Sequence, residues 1–238
     1  MNNFHTLPND SKRVIIEQTA LKQGLSKQIV EKDLWVSTIL EIVFTLPFAD
    51  KLVFKGGTSL SKVWGLIERF SEDIDLAVDR SLFGFEGDLT TKQIKKLRKA
   101  SSLFVSNEFY IELKAAITKF NLEKFIELEV QPDGEGDKTY PEPRQIFIKY
   151  QSLFEAELSY VKPQIILEIG ARSLFEPTEK ARINSIVATE FPSVQTSVVS
   201  TDITTAVAAK TFLEKAVLLH DLFSTNGCSK AERKSRHL

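Results

Sequence analysis

Two hydrophobic periods alternate along this chain, and the change from one to the other marks out its elements. Leu52, Val53 and Phe54 form a short apolar run that ends at Gly56 and Gly57, the pattern of a strand entering a tight turn. Leu60, Val63, Trp64 and Ile67 then fall at i, i+3, i+4 and i+7, which predicts an amphipathic helix with that face inward. Ile74, Leu76 and Val78 return to a period of two, so a second strand buries them and turns Asp73 and Asp75 to its other face. The order is strand, glycine turn, helix, strand.

Upstream, Asn9 to Gln23 reads as a helix capped by Asp10 or Ser11 and closed by Gly24. Ser26 caps a second helix running to about Phe44, with Val36, Ile39, Leu40 and Val43 as its buried stripe. Two helices joined at a glycine suggest a helix-turn-helix, but the second is apolar and acidic, which argues against DNA reading. Downstream, Leu82 to Asp88 reads as a loop and Thr91 to Asn107 as a helix. Ile126, Leu128 and Val130 pair across a turn at Pro132 to Asp137 with Ile146, Ile148 and Tyr150 as a long hairpin. Ile165, Leu167 and Ile169 line one face of a further strand and leave Glu168 on the other. Pro177 to Pro192 reads as irregular or briefly helical. Asp202 is placed to cap a helix from Ile203 to about Phe223, with Phe212, Ala216, Leu219 and Phe223 as its core stripe. The composition shift near Ser200 divides the chain into residues 1–200, a mixed α/β part, and residues 201–238, a helical part.

Composition narrows the class. With 42% hydrophobic residues and 17 phenylalanines among 238 residues, the chain can build a sizeable core. A net charge of −1 gives no global attraction to nucleic acid, so any such contact depends on local patches. The single cysteine, Cys228, excludes an internal disulfide and a cysteine-based zinc site, and three scattered histidines form no cluster. No apolar run approaches a membrane span and no signal peptide is evident, which predicts a cytoplasmic protein without a membrane partner.

The candidate chemistry lies in Lys55-Gly56-Gly57-Thr58-Ser59-Leu60 and Ser71-Glu72-Asp73-Ile74-Asp75-Leu76. A helix entered through glycines offers backbone N–H groups to a phosphate, and the Thr58 and Ser59 hydroxyls stand ready to add donors. Two carboxylates on one strand face, roughly 7 Å apart at the backbone, suit one hard cation such as Mg²⁺. Glu168 sits mid-strand in an apolar segment, where an acid needs a partner, and an edge-strand pairing with Arg172 would supply one. Lys92, Lys95, Lys96, Arg98 and Lys99 bring five positive charges with no acid between them; Lys92, Lys95, Lys96 and Lys99 share one helix face. That run is either solvated surface or a seat for a polyanion.

The glycine turn followed by Asp-x-Asp resembles the DNA polymerase β-like nucleotidyltransferases. The wording from Phe54 to Leu76 resembles more narrowly the AbiEii/AbiGii toxin family. That resemblance implies an α/β (α+β) nucleotidyltransferase core with a mixed sheet, followed by a partial C-terminal helical domain truncated relative to the family. It implies a Mg²⁺- or Mn²⁺-dependent transfer of NMP from an NTP to an acceptor hydroxyl. Asp73, Asp75 and Glu168 would be the catalytic and metal-binding acids, and Gly56, Gly57, Thr58 and Ser59 the triphosphate seat. Glu31-Lys32-Asp33 matches a family triplet, or is an ordinary solvated helix face. Thr211 to Lys215 is similar to the family's Phe-x-Glu-Lys element and would put Lys215 on the nucleotide phosphates. The tail from Lys230 to Leu238 resembles the start of an Arg-x-Ser-Arg-His element, with Lys234 where an apolar residue is expected. The resemblance further implies a toxin encoded beside a cognate antitoxin, acting on RNA, with the tRNA 3′ end as the natural acceptor. A transferase acting on a small molecule or a protein, and a non-catalytic nucleotide-binding module, are the other classes compatible with the motif.

Overall fold

The computed structural model describes residues 4–67, 71, 73–155, 161–173, 175–199 and 201–224. Arg69, Phe70 and Glu72 of the motif region, Ser200, and the tail from Lys230 to Leu238 lie outside them. Seven strands form one mixed sheet: β1 (Leu52–Lys55), β2 (Ile74–Val78), β3 (Ile126–Val130), β4 (Arg144–Tyr150), β5 (Gln164–Gly170), β6 (Thr178–Ala181) and β7 (Ile203–Ala206). Their spatial order is β3-β4-β5-β2-β1-β7-β6. β2 runs parallel to β5 and β1 parallel to β7, while the other neighbours are antiparallel.

One face of the sheet is apolar, as the period-two pattern predicts. Leu52, Phe54, Ile74, Leu76, Val78, Ile146, Ile148, Ile165, Leu167 and Ile169 are buried there, in one core with helix α2 (Lys27–Val43) and with Leu97 and Phe104 of α4 (Thr91–Phe104). Helix α1 (Asn9–Gln23) packs on α2. Its C-cap Gly24 has the expected left-handed backbone, but neither Asp10 nor Ser11 caps its start, since Pro8 occupies the N-cap. Ser26 caps α2 as expected, accepting from the Ile29 N–H at 3.3 Å.

Helix α2 is buried from Val30 to Val43, polar residues included, so Glu31-Lys32-Asp33 is no solvated face. Each of the three is tied to a different distant segment. Glu31 accepts from the Ser152 hydroxyl and the Leu153 N–H, at 2.6 and 2.7 Å. Lys32 donates to the Lys162 carbonyl at 3.1 Å. Asp33 accepts from the Ile186 N–H at 2.7 Å and forms a 2.5 Å ion pair with Lys62, both side chains at most 9% exposed. Removing one member of a buried pair strands the other's charge. Lys62→Met should therefore cost about 3 kcal/mol in urea unfolding, much of it recovered in Lys62→Met/Asp33→Leu. Equal stability of wild type and Lys62→Met would contradict this.

Three expected elements differ. The helix after the glycine turn, α3 (Gly56–Lys62), is short: it ends where Val63 and Trp64 turn into Gly65 at φ 60°, and only Leu60 of the expected stripe is buried. The helix from Thr91 is longer than expected, continuing from α4 through a π-helical segment, Val105–Phe109, into α5 (Tyr110–Lys119). Ile203–Ala206 is a strand and not the start of a helix. It pairs with β1 beyond residue 200, and the last helix described, α7 (Ala208–Ser224), begins after it. The β-branched Ile203-Thr204-Thr205 run suits a strand, and Asp202 precedes it without capping a helix. Between Pro177 and Pro192 lie edge strand β6 and the short helix α6 (Ile186–Glu190).

Candidate active site

Register across four strands puts polar residues in one row on the face away from the large core. Lys55 on β1 is opposite Asp75 on β2, Asp75 is opposite Glu168 on β5, and Glu168 is opposite Gln145 on β4. Directly opposed residues share a sheet face, so the four side chains stand side by side. The row borders a cleft of about 210 Å³, also walled by Glu142, Arg172 and Ser173.

Asp75 is the most perturbed member. Burial, with the carboxylates of Glu168 and Asp73 beside it, pushes its carboxyl up to about 7, against the opposing pull of Lys55 and Lys215. Glu168 accepts from Gln145 Nε2 at 2.5 Å. Arg172, its expected alternative partner, turns instead to Glu142, a buried carboxylate 3.7 Å away. Glu142 also accepts from the Ala171 and Arg172 N–H groups, at 2.7 and 3.1 Å, which fixes the backbone leaving β5.

The glycine turn meets Asp75 directly. Gly56 adopts φ 78°, and a Cβ built on it would lie 1.8 Å from Asp75 Oδ2. The carboxylate thus occupies the space that a side chain at 56 would fill. Thr58 and Ser59 are fully buried, and their hydroxyls brace the turn. Thr58 Oγ1 donates to the Asp73 carbonyl and lies 3.0 Å from Ser71 Oγ, while Ser59 Oγ donates to the Gly56 carbonyl at 2.9 Å. With their protons so used, what this turn offers an anion is backbone N–H.

Behind the row, Lys55 pairs with Glu214 on α7 at 3.1 Å, and Glu214 also accepts from Ser173 at 2.6 Å. Lys215, next along α7, is half-buried and near enough to act on Asp75. The rest of α7 departs from expectation: Phe212, Leu219 and Phe223 are exposed rather than core. Sequence reasoning missed Gln145 and Glu142 as neighbours of the site, and singled out Glu214 only within the Thr211–Lys215 element, without a role. The only signal for Gln145 is its place opposite the apolar set of β4.

Among the described residues, no three histidine, cysteine, aspartate or glutamate side chains form a ready cage for a metal. The donor set nevertheless suits a hard divalent cation, because two carboxylates stand in register with a third at the start of the strand, and burial and the others' charge hold one of them partly protonated. Lys92, Lys95, Lys96 and Lys99 are exposed on one face of α4, as their spacing predicts. Arg98 is committed, donating from Nε to the Tyr140 carbonyl at 2.6 Å, and Lys99 Nζ lies 5.2 Å from the Tyr140 ring. Helix α4 packs on the sheet face opposite the acidic row. Its basic groove is bordered by Thr139 and Tyr140 and shares no lining residue with the cleft, although Arg98 acts electrostatically on Glu142 of the cleft wall.

No helix among the described residues is long and apolar enough to cross a membrane. No curated protein matched the sequence. The sequence model of the family described as Nucleotidyl transferase AbiEii toxin, Type IV TA system, matches residues 38–238, which include the acidic row, the glycine turn and α7. The chain belongs to the AbiEii family of nucleotidyl transferase toxins of type IV toxin–antitoxin systems.

Proposed function

We propose that the protein transfers a nucleoside monophosphate from an NTP to a hydroxyl of an RNA acceptor, the tRNA 3′ end, with release of pyrophosphate. The observation that carries this reading is the direct register of Asp75 and Glu168 beside the Gly56 turn. Mg²⁺ or Mn²⁺ held by Asp73, Asp75 and Glu168 would neutralise charge on the phosphates. The backbone of Gly56, Gly57, Thr58 and Ser59 cradles the triphosphate, with Lys215 and Lys55 facing its charge. Glu168, oriented by Gln145, draws the proton from the attacking hydroxyl. The new bond joins that oxygen to the α-phosphorus, and the bond to the bridging oxygen breaks, leaving with pyrophosphate. The protein's partner in the cell is the antitoxin that a type IV toxin implies, and its site of action is the cytoplasm.

Label from an α-³²P NTP should appear in pooled tRNA in the presence of Mg²⁺ and disappear when the acceptor's terminal hydroxyls are oxidised with periodate. Label on protein or small compounds alone would move the acceptor to another class. The basic groove gives a second test. Each phosphate neutralised by a lysine releases counterions, so RNA affinity should fall steeply with salt. Replacing Lys95, Lys96 and Lys99 with glutamine should weaken RNA binding and reduce the log–log salt slope by about 2–3, with NTP binding intact. An unchanged slope would make the lysine face ordinary solvated surface.

A further inference from the structure

A second cavity lies between α1, α2 and the chain following β4, and shares no lining residue with the cleft at Asp75. It holds about 160 Å³. Its walls include the rings of Phe4, Trp35 and Phe125, and its charged groups are Lys12, Arg13 and Glu31, with His5 alongside. Most of this wall precedes residue 38, where the family match begins.

The charges do not balance. Glu31 is satisfied by Ser152 and Leu153 and faces the charge of Arg13. Arg13 donates to the Leu153 carbonyl at 2.9 Å and reaches Asp10 at 3.3 Å. His5 is neutral near pH 7, burial and the charge of Lys12 pushing it down to about 4, and its Nε2 lies 3.1 Å from Thr38 Oγ1. Lys12 is left over. Only 6% exposed, its side chain forms no hydrogen bond or ion pair with the described residues, and its Nζ lies 5.0 Å from the centre of the Phe125 ring. A ring face supports a cation weakly compared with an anion at contact, so an anion entering the cavity meets an ammonium whose charge no contact offsets. Burial pulls its pKa down accordingly.

We propose that this cavity binds a small organic anion, a carboxylate with a short flat or branched apolar body. Its charge meets Lys12, and its body lies against the aromatic wall. The apolar rings give a bare inorganic anion nothing to gain from most of the wall.

Benzoate, benzyl alcohol and inorganic phosphate are suitable probes. In the full chain carrying Trp64→Phe, Trp35 is the remaining tryptophan, so a saturable change in its emission places the ligand in this cavity. Benzoate should bind about tenfold or more tightly than benzyl alcohol, the worth of a charge-assisted contact, and more tightly than phosphate. Lys12→Met should reduce benzoate affinity to that of the alcohol. No saturable benzoate binding, equal affinities of benzoate and benzyl alcohol, or phosphate matching benzoate would each overturn the proposal. If Lys12→Met does not fold, the three-ligand comparison on the lysine-containing protein decides alone. A label-transfer assay is unaffected by either result, so the two readings stand or fall separately.

Discussion

Asp75→Asn should abolish label transfer, a loss of about 10³-fold or more, and at the same time make the metal-free protein more stable at pH 8. The two effects have one origin. In the fold the Asp75 carboxyl titrates at about 7, against 3.8 for the free side chain, because it is buried beside Glu168. A carboxylate whose folded pKa is raised costs nothing at low pH, where both states are protonated. The cost grows as pH rises from about 4 to 7 and is constant above. That difference corresponds to about 4 kcal/mol as an upper bound, which solvent at this part-exposed position reduces. Urea unfolding in chelator should show the variant gaining on the wild type between pH 4 and 7, with the curves converging below pH 4. Addition of Mg²⁺ should stabilise the wild type and not the variant. A variant that keeps activity, or a stability gap independent of pH, would refute the assignment.

Gly56→Ala should be nearly as damaging to activity, for a steric reason. Its backbone at φ 78° is costly for any residue with a Cβ, about 1–2 kcal/mol. The added methyl would also meet Asp75 Oδ2 at 1.8 Å and Cγ at 2.6 Å, so the carboxylate must leave the row. We expect a stability loss of about 2–3 kcal/mol and transfer falling to the level of Asp75→Asn. In Gly56→Ala/Asp75→Ala the two nearest of these contacts are gone and the Asp75 Cβ at 2.9 Å remains, so the two substitutions should be strongly non-additive in stability. Additive losses would show that the turn and the carboxylate are independent.

The parts of this site legible in the sequence are those set by local periodicity. The strand that buries Ile74, Leu76 and Val78 must present Asp75 on its other face, and paired glycines announce a turn. That Glu168 stands opposite Asp75, and Gln145 opposite Glu168, depends on which strands pair and in what register, and local pattern carries no such information. Edge strand β6, Thr178-Glu-Lys-Ala, has no apolar alternation to betray it. The α7 stripe misled for the opposite reason. Helical spacing reveals that a face is apolar, but not that anything covers it, and Phe212 and Phe223 stay largely exposed. Charge alone left Glu31, Lys32 and Asp33 open between a family triplet and a solvated face, because their buried partners lie far along the chain.

Those partners also bear on how fast the protein folds and lets go. The hydrogen bonds that Glu31 and Asp33 accept and Lys32 donates close loops of 121, 153 and 130 residues, so none forms until most of the chain is assembled. Such contacts are absent from an early folding nucleus, and loosening them acts on the way out. In stopped-flow measurements, Glu31→Gln should leave the refolding limb almost unmoved and lift the unfolding limb. The buried charges of α2 then set the lifetime of the folded chain.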